Sequence, residues 1–154
     1  MMENVQASIG RMRILLIDDN RDHANILQWI FQKTGREDEF TYFGDGMSAL
    51  EYLKTQAEGQ KLKPDLIFLD FNLPRLDGRE VLRMLKEEEA TKSIPVVVVS
   101  SSERDEDVRR AYELGASSYV SKSEMLEDVT PMLKSIQSFW PNDPSKKIQG
   151  DRRL

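Results

Sequence analysis

The chain has 154 residues, no cysteine and a single histidine, His23. The lack of thiols excludes disulfide bonds, thiolate metal sites and a cysteine nucleophile, and it fits a protein of the reducing cytoplasm. One histidine excludes a metal site built from several imidazoles. Every apolar run is far shorter than the roughly 20 residues that a membrane-spanning helix needs, and the first residues lack the apolar stretch of a signal peptide. We therefore expect a cytoplasmic protein without a membrane partner.

Positive charge is also scarce, because 27 acidic residues outnumber 22 lysines and arginines and leave a net charge of −5. No basic stripe interleaved with aromatic residues is present, so we expect no nucleic-acid partner. The length suits one domain with a substantial core. We predict a folded domain over residues 12–141, with a flexible tail of residues 1–11 before it and another of residues 142–154 after it.

Short apolar segments alternate with patterns of helical periodicity along this domain. The predicted strands are residues 13–17, 40–43, 65–70, 96–99 and 118–120, and the predicted helices are residues 22–34, 47–56, 78–88, 103–114 and a last one from near Glu127 or Asp128. Right-handed crossovers arrange such units as a doubly wound parallel sheet with helices on both faces. The predicted fold is α/β and flavodoxin-like, (βα)5, with strand order 2-1-3-4-5.

Several positions within these elements carry specific expectations. Gly35 is expected to end the first helix. Pro131 is tolerable only in the first turn of the last helix. Tyr112 is expected on the buried face of the fourth helix, together with Val108 and Ala111.

The third strand organises the candidate site. Four apolar residues, Leu66 to Leu69, end abruptly in the carboxylate of Asp70. Such a run is typical of a strand buried on both faces, and ligands bind at the carboxyl ends of strands in open α/β sheets. Polar residues end other strands too, and they are Asp18 and Asp19 after the first, Ser100 after the fourth and Lys122 after the fifth. We expect these side chains to converge.

Carboxylates that meet in one pocket repel each other, and Mg²⁺ is the natural neutralising cation because it prefers hard oxygen ligands. Asp18, Asp19 and Asp70 are the candidate metal ligands, and Asn72 can add its backbone carbonyl. The charge of Lys122 and the hydroxyl of Ser100 would suit a phosphoryl group attached to Asp70.

Each residue also has an ordinary structural reading. Asp18 and Asp19 could cap the following helix, Asp70 could cap its strand end, Ser100 could be a turn residue and Lys122 could be solvated. The coincidence of all of them at strand ends of one sheet favours a shared site. His23 is expected on an exposed helix face.

Together these residues closely resemble the receiver domain of bacterial two-component response regulators, from about Arg13 to Trp140. The motifs that carry the resemblance are Asp18-Asp19, Asp70, Asn72-Leu73-Pro74, Asp77-Gly78, Ser100, Gly115-Ala116 and Lys122. The resemblance implies that Asp70 accepts a phosphoryl group from the phosphohistidine of a sensor histidine kinase. It implies that Mg²⁺ lies between the acidic residues and the carbonyl of Asn72, with Ser100 and Lys122 on the phosphoryl oxygens.

The resemblance also assigns a switch and two partner surfaces. Tyr119 matches the family's switch aromatic, whose ring turns inward when Ser100 moves toward the phosphate. That movement rearranges the face formed by the fourth helix, the fifth strand and the last helix. The kinase-docking positions are Asn20, Asp22, His23 and Ile26.

One position departs from the family, which usually has a cis Lys-Pro bond where this chain has Lys122-Ser123. We expect this bond to be trans, because a cis bond before serine costs about 3–4 kcal/mol. The Lys-Ser ending and the aromatic pair Phe139-Trp140 resemble small regulators that partner bacterial phytochromes. That likeness implies a light-sensing kinase and a homodimer through the face that includes the last helix, although the aromatic pair could equally finish the core stripe.

Two other functions compete with the phosphorylated switch, which is itself not expected to be an enzyme. A haloacid-dehalogenase-type phosphatase also uses a strand-end aspartate and Mg²⁺, but it needs a second aspartate where this chain has Asn72. An interaction domain that is never phosphorylated would have little reason to keep a set of repelling carboxylates. A flavin-binding domain is disfavoured because no phosphate-binding loop follows the first strand.

Overall fold

A computed structural model describes residues 11–35, 37–58 and 63–137. The elements, in chain order, are β1 (Arg13–Ile17), α1 (Arg21–Lys33), β2 (Glu39–Phe43), α2 (Gly46–Glu58), β3 (Leu66–Asp70), α3 (Gly78–Glu87), β4 (Val96–Ser100), α4 (Asp105–Glu113), β5 (Ser118–Ser121), α5 (Lys122–Glu127) and α6 (Thr130–Gln137). The strands form one parallel sheet in the order β2-β1-β3-β4-β5, which confirms the predicted fold. The predicted tails fall almost wholly outside the described residues, so the domain limits stay predictions.

The middle of the sheet is covered on both faces. Every residue of β3 and of β4 is buried, as their unbroken apolar runs predict. Helices α1, α5 and α6 pack on one face, where the ring of Phe31 meets Phe40 and Phe68 edge-on at centroid distances of 5.8 and 5.7 Å. Helices α2, α3 and α4 pack on the other. The two layers hold the strand ends rigidly beside each other.

Helix ends follow from local capping. The side chain of Asn20 accepts a hydrogen bond from the backbone N–H of Asp22 at 2.9 Å and so caps α1. Asp18 and Asp19 therefore do not cap this helix, and their ordinary reading as helix caps is wrong. Gly35 follows the helix at φ 83°, a conformation that favours glycine.

Within residues 11–35, 37–58 and 63–137, one helix was not predicted by the periodicity. Helix α5 starts directly after β5, where the Ser121 side chain accepts from the N–H of Glu124 at 3.4 Å. Ser121 and Glu124 have the spacing of a capping box, which is the signal that could have revealed it. The last helix starts at Thr130 rather than near Glu127 or Asp128, and Pro131 does lie in its first turn.

The fourth helix differs from expectation in two ways. Tyr112 is 49 % exposed rather than buried, because it lies one residue round the helix from Ala111, and its hydroxyl accepts from the N–H of Tyr119 in the edge strand β5. Glu103 belongs to the preceding loop, and α4 begins at Asp105.

No peptide bond within the described ranges is cis, so the Lys122-Ser123 bond is trans as predicted. Within the same ranges no helix is long and apolar enough to cross a membrane. Phe139 and Trp140 lie outside the described residues, and the expectation for them stays untested.

The loop from β3 to α3 depends on a close backbone approach at Gly78. Its N–H donates to the carbonyl of Phe71 at 3.0 Å. A Cβ added at Gly78 would lie 2.2 Å from the Asp70 carbonyl oxygen and 2.6 Å from the Phe71 Cα. We predict that Gly78→Ala lowers the free energy of unfolding by about 2 kcal/mol, since backbone must move to admit the methyl group. Urea unfolding measures this change.

Gly35→Ala is the matched control. A Cβ at Gly35 meets nothing within 4 Å, so only its positive φ is unfavourable. That strain costs about 1 kcal/mol. A Gly78→Ala protein as stable as the wild type would show that the loop adapts without strain.

Candidate functional site

The sheet register sets the acidic part of the site. Ile17 in β1 pairs with Leu69 in β3, so the residues that follow them, Asp18 and Asp70, are neighbours at the carboxyl edge. Asp18 is 4 % exposed and Asp70 is 2 % exposed, whereas Asp19 is exposed. Carboxylate oxygens of all three residues lie within 4.8 Å of one another. The predicted convergence is confirmed for these aspartates, and this set of hard oxygen donors fits a divalent cation.

The same register extends to the lysine. Ser100 in β4 pairs with Ser121 in β5, and Lys122 follows directly. The Nζ of Lys122 lies 3.1 Å from Oδ2 of Asp70 and 3.3 Å from Oδ2 of Asp18. Lys122 is itself buried, so its ordinary reading as a solvated lysine is wrong. One ammonium group therefore bridges two buried carboxylates.

Contacts on both sides of Lys122 hold it in this place. The Ser121 hydroxyl donates to Oε1 of Glu103 at 3.2 Å, and the Ser123 hydroxyl donates to the same oxygen at 3.4 Å. Sequence reasoning missed these contacts, because Glu103 was predicted inside a helix and shares no periodic pattern with the two serines. The cap of α5 and the Glu103 carboxylate thus fix the backbone at a position where the family usually has proline.

Burial makes the charge of Asp18 costly. Desolvation raises the pKa of Asp18 above its ordinary value of 3.8, and the negative charge of Asp70 raises it further. The backbone N–H of Asn20, which donates to Oδ1 of Asp18 at 2.8 Å, and the nearby Lys122 act in the opposite direction. Desolvation is the largest of these effects, so a negative charge on Asp18 costs free energy in the folded protein.

A short chain of hydrogen bonds leads from Ser100 to Tyr119. Ser100 is buried, and its hydroxyl oxygen accepts from the N–H of Ser102 at 3.2 Å. The Tyr119 hydroxyl donates to the Ser102 carbonyl at 2.8 Å, and its ring meets Phe71 edge-on at 6.2 Å. Ser102 is thus a direct link between the two predicted switch residues, and sequence reasoning had not assigned it that role.

Asn72 lies at the mouth of the pocket. Its N–H donates to Oδ1 of Asp70 at 3.0 Å, and its exposed side chain donates to the hydroxyl of Ser101 at 3.4 Å. These contacts place Asn72 beside Asp70, as predicted. The role of its carbonyl as a metal ligand stays a prediction.

The predicted docking residues divide into two groups. Asn20 and Asp22 are exposed, while Ile26 is half-buried and packs against the core. His23 is also half-buried, so its expected place on an exposed helix face is wrong. Because α1 starts immediately beside the pocket, Nδ1 of His23 lies 3.7 Å from Oδ2 of Asp18. The docking role of these four residues stays a prediction.

The fold and the pocket define a class of protein. It is a flavodoxin-like α/β domain with a buried carboxylate and a buried lysine at the sheet edge, and it is suited to a cation and a phosphoryl group. The sequence profile of the family described as "Response regulator receiver domain" matches residues 14–134, and the chain belongs to that family.

Named relatives agree with this assignment. The chain is 38% identical over 128 residues to the response regulator Rcp1 of Synechocystis, a match that covers 82% of this chain and 87% of Rcp1. It is 37% identical over 127 residues to "Probable methanogenesis regulatory protein FilR2" of Methanothrix harundinacea, with 82% of each chain covered.

Solved structures extend the comparison. The Mn²⁺-bound form of Rcp1 matches with a TM-score of 0.71 and 38% identity. The phosphorylated cyanobacterial phytochrome response regulator RcpA matches with a TM-score of 0.73 and 37% identity. Each match covers 84% of this chain and 94% of the other. The shared fold therefore extends over most of the chain.

The cost of the Asp18 charge leads to a stability prediction. Because its folded pKa is raised above 3.8, the contribution of Asp18 favours folding at acid pH and is lost as the pH rises through that folded pKa. Asp18→Asn removes the titrating carboxylate and with it this loss of stability at higher pH. Without divalent metal at neutral pH, we expect it to raise the free energy of unfolding by on the order of 1 kcal/mol.

Urea unfolding from pH 4 to pH 7 measures the difference in stability between variant and wild type, which should grow as the pH rises above 3.8. Asp19→Asn is the matched control, because it removes the neighbouring but exposed carboxylate and should change stability much less. A destabilised Asp18→Asn protein at neutral pH would contradict the prediction.

Proposed function

We propose that Asp70 accepts a phosphoryl group from the phosphohistidine of a sensor histidine kinase and that Mg²⁺ is the cation of the site. The chain is a receiver domain of two-component signalling, and a histidine kinase is the partner that this family implies. The observation that carries the proposal is the buried ammonium of Lys122 at 3.1 Å from Asp70. It places a positive charge directly beside the acceptor carboxylate.

The transfer needs positioning and charge neutralisation more than covalent catalysis. The N–P bond of the phosphohistidine breaks as an O–P bond to Asp70 forms. The N–H of Asn72 holds one oxygen of Asp70, and Lys122 reaches the other. Asp18, Asp19, Asp70 and the carbonyl of Asn72 would hold Mg²⁺, which would neutralise more of the phosphoryl charge. Lys122 and the Ser100 hydroxyl hold the phosphoryl oxygens.

The switch uses the chain of hydrogen bonds at Ser102. When the Ser100 hydroxyl turns to the phosphoryl group, Ser102 loses the partner of its N–H. The carbonyl of Ser102 is the acceptor for Tyr119, so the loop and the ring adjust together. The result is a rearranged face of α4, β5 and the helices α5 and α6.

A phytochrome-type kinase is the phosphodonor that we propose. The likeness to RcpA, whose structure is described as that of a phytochrome response regulator, supports this choice. The kinase docks on the start of α1, at the exposed Asn20 and Asp22 and the half-buried His23 and Ile26. The protein is cytoplasmic and has no nucleic-acid partner. The chain is a phosphoacceptor rather than an enzyme, since Asn72 cannot serve as the proton donor that a phosphatase needs.

Phosphorylation can be tested directly by intact mass. Incubation with Mg²⁺ and acetyl phosphate should add one phosphoryl group, in a reaction that breaks the anhydride O–P bond of the donor. Asp70→Asn should abolish the adduct because the acceptor oxygen is lost. Lys122→Met should slow the reaction by about 100-fold, since it removes a charged donor from a buried site.

The matched control is Asp77→Ser, which removes a nearby exposed carboxylate but keeps an oxygen that can cap α3. It should be phosphorylated like the wild type. A phosphorylated phytochrome-type kinase should transfer its group faster than an unrelated kinase. Absence of an adduct from every donor would reject the proposal, and turnover of many equivalents of a phosphomonoester would favour the phosphatase.

A homodimer through the face of α4, β5 and the last helices is the second part of the proposal. Two large side chains on this face are exposed, Tyr112 at 49 % and Leu126 at 58 %. Aromatic and large apolar residues are typical of the buried centre of interfaces. We predict that Leu126→Glu weakens self-association at least tenfold, since burying a charge in such a centre is unfavourable.

Light scattering after gel filtration measures the association. Met47→Glu is the control, because Met47 is 55 % exposed on α2, which follows β2 at the opposite edge of the sheet from β5. It should leave the dimer intact. A wild-type protein that is monomeric with and without phosphorylation would contradict this part of the proposal.

A further inference from the structure

One buried polar atom stands out among the described residues. Nδ1 of His23 is shielded from solvent and has no hydrogen-bond partner. Buried polar atoms are nearly always paired, because desolvation without a partner costs free energy. An unpaired atom beside a functional pocket therefore suggests a partner in another state of the site.

The group opposite this atom is Oδ2 of Asp18, at 3.7 Å. That separation is longer than a hydrogen bond by about half an ångström. The same oxygen lies 3.3 Å from Nζ of Lys122. Two nitrogen atoms, Nζ of Lys122 and Nδ1 of His23, thus face a single carboxylate oxygen, and Lys122 is the nearer.

The other oxygen of Asp18 is already committed. Oδ1 accepts from the N–H of Asn20 at 2.8 Å, in the turn that starts α1. This bond fixes one side of the carboxylate, so the partner of Oδ2 is what can change. Lys122 has a second carboxylate, Asp70, within 3.1 Å, and it can leave Asp18 without losing every partner.

We propose that His23 is a positioning residue that replaces Lys122 as the hydrogen-bond donor to Asp18 when Lys122 turns to a phosphoryl group on Asp70. The imidazole then carries its proton on Nδ1. This role rests on the proposed function, because it assumes that Asp70 is phosphorylated and that Asp18 holds the cation.

The exchange of Lys122 for His23 as the hydrogen-bond donor to Asp18 has an electrostatic advantage. A carboxylate that ligates a metal keeps its orientation through hydrogen bonds from neighbouring groups, and loss of such a group lowers metal affinity about 10- to 100-fold. Lys122 supplies this bond with a positive charge that opposes a nearby cation. A neutral N–H from His23 supplies the bond without that repulsion, and it leaves Lys122 free for the phosphoryl oxygens.

Three variants separate this role from packing. His23→Asn keeps an N–H donor one bond from Cγ, as in the Nδ1 position of imidazole. His23→Gln moves the donor one bond further out, and His23→Leu removes it. We expect Mg²⁺ affinity, measured by calorimetry on the whole protein with the phosphoryl mimic beryllofluoride present, to fall about tenfold in His23→Leu and His23→Gln and less than threefold in His23→Asn.

A second measurement follows the proton itself. A long-range ¹H–¹⁵N spectrum of wild-type protein reports which ring nitrogen is protonated. With Mg²⁺ and beryllofluoride, a phosphoryl mimic, we expect a protonated Nδ1 whose proton signal moves downfield as the bond to Asp18 forms. Thermal unfolding without metal should differ little between the Asn and Gln variants, so a purely structural role would not reproduce the difference in affinity.

The outcomes are distinct. Equal Mg²⁺ affinity of wild type and His23→Leu with beryllofluoride present would overturn the inference. So would an Asn variant as weak as the Gln variant, or an Nδ1 without a proton in the mimic-bound state. If His23→Leu does not fold, the difference in Mg²⁺ affinity between His23→Asn and His23→Gln alone decides. A wild-type protein that binds Mg²⁺ but gains no phosphoryl group from acetyl phosphate would instead reject the proposed function.

Discussion

The ammonium of Lys122 between the carboxylates of Asp18 and Asp70 is the interaction on which the site depends. Two negative charges and one positive charge share a pocket that is nearly closed to solvent, so one negative charge is left without a counter-charge among these three groups. A buried ion pair gives little net stability, because desolvation offsets most of the Coulomb attraction. The arrangement is better explained by ligand chemistry, since a net negative pocket attracts a cation that can in turn attract a phosphoryl group.

The sheet brings the three charged groups of this arrangement together, and the loop residue Glu103 adds contacts beside Lys122. Asp70 is the last residue of β3, Asp18 follows β1 directly, and Lys122 follows β5 directly. Buried strands leave these positions almost no freedom, and so the register of the sheet sets the distances between the charges. The rigid layers that hold the strands thus also determine the electrostatics of the pocket.

The sequence was sufficient for the parts of the site that lie on strands. An apolar run that ends in a charged residue identifies both the strand and its end, which is why Asp18, Asp70 and Lys122 could be placed in one pocket. It was insufficient where a short segment has no periodic pattern, as in α5, or where contacts join distant loops, as between Glu103 and Ser121. Tyr112 was misplaced because an aromatic ring with a polar tip can be stable on a surface as well as in a core.

The contacts that were missed share a physical role, which is to position groups that take part in the chemistry of the site. Ser121 caps the helix that starts with Lys122, Ser102 joins Ser100 to Tyr119, and His23 faces the oxygen that Lys122 contacts. Each of these contacts depends on the direction of a side chain or on a choice between two hydrogen-bond partners. Apolar periodicity in the sequence predicts neither of these features. A reactive carboxylate can be recognised from its strand, whereas its control depends on hydrogen bonds that only the folded chain brings together. Groups with two available partners are therefore the sites at which phosphorylation can change the structure, because exchanging one partner for another costs less than breaking a bond outright.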